Sequence, residues 1–68
     1  MNGFRLLLVS AVGERDGMAL ELSRDTGEQI AEVFEDDESR ARSVTFFTDE
    51  PVPLAVVEWL LSEAARQL

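Results

Sequence analysis

The 68-residue chain has no cysteine, no histidine and no lysine. Without Cys no disulfide can form, and without Cys or His a structural zinc site of the usual kind is excluded. The same absences remove the Cys–His and Ser–His pairings of nucleophilic catalysis. Ser10, Ser23, Ser39, Ser43 and Ser62 therefore have neither His nor Lys to activate them. All six basic residues are Arg, a bias expected of a GC-rich genome rather than of any chemistry, and they face 14 acids for a net charge of −8. That balance argues against nucleic acid and against an anionic membrane, both of which require neutralising cations. It suits a basic protein partner, or simply keeps a small domain in solution. No segment approaches the roughly 20 apolar residues of a membrane span. Phe4–Val12 has the apolar look of a signal-peptide core, but Arg5 lies inside it and its loss would remove much of the core. A cytoplasmic location is the expectation.

What is present is a change of period. Residues 18–34 and 43–48 alternate as strands do, whereas Pro53 to Leu68 follow helical spacing. Turn signals divide the chain at Gly13–Gly17, Asp25-Thr26-Gly27, Asp36–Ser39 and Asp49–Pro53. Phe4–Val12 reads as a strand apolar on both faces, with a helix as the alternative. Arg24–Gly27 resembles a type I turn with Gly27 left-handed, the three-residue hairpin loop. That loop pairs Arg24 with Glu28, Leu22 with Ile30 and Met18 with Phe34, and sets Glu32 opposite Leu20 on the apolar face. A two-residue loop would instead oppose Leu20 to Val33 and Glu21 to Glu32 on the other face. A slip of one residue exchanges the faces, so the surroundings of Glu32 hang on this turn.

Pro53 suits a first helical position, and Leu54, Val57, Leu61, Ala64 and Leu68 form an apolar stripe after it. The expected fold is a single α+β domain, residues 1–68: a four-stranded, mainly antiparallel meander with one C-terminal helix packed on one face (β-β-β-β-α). The expected core is Leu6, Leu8, Leu20, Leu22, Ile30, Phe34, Val44, Phe46, Leu54, Val57, Leu61 and Ala64. So short a chain buries only about 60% of its unfolded surface. With disulfides and zinc excluded, association with another chain is a natural source of further stability.

Four features are candidates for function. Trp59 falls nearly opposite the Leu54/Val57/Leu61/Ala64 stripe, beside Ala55, Glu63 and Arg66 with Val56 at the edge. An exposed Trp is typical of binding hot spots. The sheet face away from the helix should retain apolar surface, because Phe46 and Phe47 point opposite ways. Glu35-Asp36-Asp37-Glu38 clusters carboxylates, but without the spacing and central Gly of an EF-hand loop, so a solvated turn or a basic partner's groove fits better than a metal. Glu32, if buried, would need a cationic partner. Gly13 and Gly17 lack the spacing and Lys of a phosphate loop. The expected function is a non-enzymatic protein-interaction module, an accessory, inhibitor or immunity-type protein, with no cofactor and no metal. Its partner-binding candidates are Trp59, Val56, Glu63, Arg66, Glu35, Asp36, Asp37 and Glu38. The alternative is a homodimer associating through the far sheet face or an edge strand. Metal-dependent catalysis at the acidic run is the only enzymatic route.

Overall fold

The computed structural model describes residues 1–13 and 15–68. Glu14, within the first predicted turn, lies outside the described residues. Four strands, β1 (Phe4–Ala11), β2 (Gly17–Arg24), β3 (Gln29–Asp36) and β4 (Arg42–Phe46), precede one helix, α1 (Leu54–Gln67). The strands form an antiparallel sheet in the order β1-β2-β3-β4. This is the expected meander closed by a C-terminal helix, and Phe4–Ala11 is a strand.

The β2–β3 connection is the expected three-residue loop. Gly27 N–H donates to the Arg24 carbonyl and Arg24 N–H to the Glu28 carbonyl, each at 2.8 Å, and Gly27 has φ 100°. The register beyond it differs from the one this loop implies. Ser23 pairs with Gln29 but Leu22 pairs with Ala31, so Ile30 is an extra residue in β3. Such a β-bulge sets two residues against one and shifts everything after it. Leu20 consequently faces Val33, Glu21 faces Glu32, and Ala19 faces Phe34. The bulge also lets Ile30 and Ala31 both enter the core, where each is fully buried.

Leu20, Leu22, Ile30, Ala31 and Val33 meet Val56, Leu60 and Ala64 of α1, with Phe4, Leu6, Val52, Trp59 and Leu68 packed around them. The predicted helix stripe is thereby corrected. The buried line is Val56, Leu60 and Ala64, rotated by about 80° from the Leu54/Val57/Leu61 stripe. Leu54 is 72% exposed and Leu61 about half exposed, Val57 is intermediate, and Trp59 has turned toward the sheet. The apolar arc of this helix is wider than one sheet face needs, so Val56, Leu60 and Ala64 are buried with Trp59 packed beside them, and Leu54 and Leu61 are left exposed.

Four other predicted core residues are placed elsewhere. Leu8, Val44 and Phe46 stay on the helix side but are exposed, whereas Phe34 is buried on the opposite face. On that far face the guanidinium of Arg15 lies 4.3 Å above the Phe34 ring centre and bonds Glu32 at 2.6 Å. Phe34 rests in turn on Gly17, where an added Cβ would overlap the Glu35 carbonyl oxygen and come within 2.9 Å of the ring.

Candidate functional site

α1 packs across β1, β2 and β3, which leaves β4 outside its footprint. All five residues of β4 are exposed. Between β4 and the helix runs a groove of about 250 Å³, floored by Val33 and Val44 and walled by Leu61, Ala64 and Ala65, with Arg42 at one end. Val44 and Leu61, which line it, and Phe46 beside Val44 on β4 are each 45–49% exposed. By the alternation of a strand, Val44 and Phe46 face the helix side and Phe47 the other.

Polar residues close the Arg42 end. Glu35, buried on β3, accepts from Arg42 Nε at 2.7 Å and from Arg40 Nη1 at 3.4 Å. The hydrogen bond from Arg42 is the main reason its carboxyl is held below the ordinary 4.5, against the opposing effect of burial. Arg40 adopts φ 62° and donates its N–H to the Asp36 carbonyl, turning the chain from β3 into β4. The Asp36 carboxylate accepts from the Ser39 backbone N–H at 2.8 Å, the Ser39 hydroxyl and the Glu38 N–H, which lower its pKa.

The candidate residues therefore do not form one surface. Strand alternation sends Glu35 to the helix side, against Arg42. Asp36, Asp37 and Glu38 gather with Arg15 and Asp16 in a separate polar hollow. Among the described residues, no group of three or more carboxylates is placed to hold a metal ion. Val56 is 4% exposed in the core and offers nothing to a partner. Trp59 is half-buried against the core rather than standing on a polar face. Glu63 accepts from Arg66 at 2.6 Å and from Gln67 at 3.0 Å. This pairing lowers the Glu63 carboxyl and raises Arg66, and it reads as local helix support. Glu32, 4% exposed, has its cationic partner in Arg15.

The expectation of residual apolar surface opposite the helix holds at Leu7, 59% exposed, and at Phe47. The centre of that face is closed by Arg15 over Phe34. The α1–β4 groove was not anticipated from the sequence. A stripe read from the spacing of Leu54, Val57, Leu61 and Ala64 counts Leu61 as core, and that phase hides the groove.

No helix is long and apolar enough to cross a membrane among the described residues. No protein-family model, curated protein or solved structure matches the chain.

Proposed function

We propose that this chain is a non-enzymatic protein-interaction module that receives another polypeptide along β4 and the adjoining groove. The observation that carries this reading is an edge strand exposed at every residue and flanked by half-exposed Val44, Phe46 and Leu61. Edge strands are ordinarily blunted by Lys, Pro, bulges or inward charges. Residues 43–47 carry none of these, and the one charge on β4, Arg42, is drawn aside to Glu35. An extended segment added to such an edge gains affinity from main-chain hydrogen bonds and specificity from side chains set into a groove. The surplus of negative charge keeps the unoccupied module soluble and biases it toward neutral or basic partners. Trp59 lies on the flank of α1 opposite Leu61 and serves to hold the helix in phase.

The test is affinity capture with the wild type, Phe46→Lys and Trp59→Leu side by side, each first checked for fold by circular dichroism. The expected result is a bound protein lost with Phe46→Lys and retained with Trp59→Leu. Loss with Trp59→Leu alone would move the receiving surface to the other flank of the helix, and indifference to both would end the proposal.

A further inference from the structure

We infer that the polypeptide received along β4 is a second copy of this chain, paired antiparallel about a two-fold axis at Thr45; this rests on β4 being the receiving edge. The free backbone groups of β4 can be assigned. Phe47 N–H donates to the Ile30 carbonyl at 2.8 Å, and the Ala41 carbonyl accepts from Asp36 N–H at 3.0 Å. Antiparallel ladders alternate, so Ser43 and Thr45 also turn their N–H and C=O toward β3. Arg42, Val44 and Phe46 turn theirs outward, with no strand beyond β4 among the described residues. An axis at Thr45 sets Val44 against the partner's Phe46 and Phe46 against the partner's Val44. Outward donors then meet outward acceptors on both sides of the axis. The result is a continuous sheet in the order β1-β2-β3-β4-β4-β3-β2-β1.

Side chains agree with that pairing. On the helix side, Val44 and Phe46 become cross-strand neighbours twice over, an aromatic against a β-branched residue in each pair. The two grooves meet over the seam, so Leu61 and Ala65 of both copies wall a shared trough. Charge selects a second copy running antiparallel. Arg40 precedes the strand, Arg42 begins it, and Asp49 and Glu50 follow it. Antiparallel self-pairing opposes Arg40 to the partner's Glu50, both largely exposed in the single chain. Parallel pairing would set like charges together. The remaining acids of the β3–β4 turn, Asp36, Asp37 and Glu38, line the hollow with Arg15 and not the groove. An isologous contact of this kind closes as a dimer. The other edge, β1, also exposes Leu7 and Leu8, but Phe4 and Leu6 are already packed on the core, and with Arg5 near its start and no acid in residues 6–13 it lacks the opposite charges at its two ends that select an antiparallel second copy.

The experiment combines sedimentation equilibrium over a hundredfold dilution with amide exchange of the full chain. Variants are Phe46→Lys, Arg40→Glu, Glu50→Arg and the double charge reversal. A dimer that dissociates on dilution is expected, with the Val44 and Phe46 amides protected only while it persists. Phe46→Lys should sediment as a monomer. Each single reversal should weaken dimerisation by about three- to tenfold, and the double reversal should recover most of it. A monomer at every concentration, with those amides exchanging freely, would overturn the second copy while leaving β4 open to another protein. A dimer unaffected by Phe46→Lys, with the same amides unprotected, would overturn both the inference and the choice of β4. Single reversals that weaken without recovery in the double variant would overturn the register about Thr45.

Discussion

β3 and β4 are hydrogen-bonded neighbours that alternate in a similar way, yet Ile30 to Glu35 of β3 are all buried and β4 is exposed from end to end. Hydrophobicity does not separate them. Val44 and Phe46 are no more polar than Val33 and Ala31, which they face across the ladder. Position does. β3 has α1 on one face and Arg15 on the other, so that even Glu32 and Glu35 are enclosed with Arg partners. β4 lies one strand further out, beyond a helix that already covers three strands. A strand's burial is thus set by what the rest of the chain can reach, and a 68-residue chain with one helix runs out of cover at its last strand.

The covered side holds the substitution with the largest expected effect. Leu60 is fully buried, in one core cluster with Leu20, Leu22 and Ile30. Leu60→Ala should cost about 2–5 kcal/mol. For a chain of this size, whose total stability is about 3–10 kcal/mol, that is enough to unfold a large fraction at ambient temperature. Far-ultraviolet circular dichroism against urea would read it, and a loss under about 1 kcal/mol would mean that α1 is not what buries β3.

The second cover can be removed by Arg15→Ala. It takes away the cation over Phe34 and leaves the Glu32 carboxylate buried without its partner, facing Glu21 across the ladder. Leaving a buried acceptor unsatisfied costs about 1–3 kcal/mol. Arg15→Ala/Glu32→Ala should recover part of that loss. A double variant as unstable as the sum of the singles would show that Arg15 and Glu32 act independently.

These dependencies explain which parts of the structure were legible in the sequence. The strand order, the C-terminal helix and the three-residue loop at Asp25-Thr26-Gly27 follow from local signals: alternation, helical spacing, and a Gly where φ is positive. The register does not, because the bulge at Ile30 is favoured by tertiary packing, two apolar residues entering one core, and leaves no mark in the turn itself. The helix phase does not either. The spacing of Leu54, Val57, Leu61 and Ala64 favours a stripe that leaves Trp59 on the opposite side, whereas in the structure Trp59 packs beside the core and Val56 and Leu60 point inward. Once the phase is wrong, Val56 looks like surface and Leu61 like core, and the groove disappears from view. The candidate acids failed for a simpler reason. Consecutive residues at a strand end point to opposite faces, so Glu35 and Asp36 were never one cluster.

Acid should act on both strands at their shared end. The carboxyls of Glu35 and Asp36 lie below their ordinary 4.5 and 3.8 in the folded chain, as does Glu63 below 4.5. Depressed folded values mean that the unfolded chain binds protons more readily. The stability these groups contribute is therefore present above the ordinary values and is lost as pH falls through the folded ones. Melting temperature should decline over that acid range. Because Arg42 is the main cause for Glu35, Arg42→Gln should make the decline shallower and lower the plateau above it, whereas a parallel curve would remove Arg42 from the account.

The smallest effect is expected on β4 itself, and it is the sharpest test of the contrast. Phe46→Ser leaves the outward backbone groups in place and removes a ring that is 45% exposed. In the dilute single chain its effect should stay within about 0.5 kcal/mol, the range of surface substitutions. Phe34→Ser, on the neighbouring strand, should cost several times as much, because its ring is held between Gly17 and Arg15. Both would be read by urea unfolding at low concentration, where a self-associated form does not contribute. If the two substitutions cost the same, β4 is covered in the single chain and the groove beside α1 is not an open surface. If Phe46→Ser is silent when dilute but destabilising when concentrated, the missing cover for β4 is supplied by association.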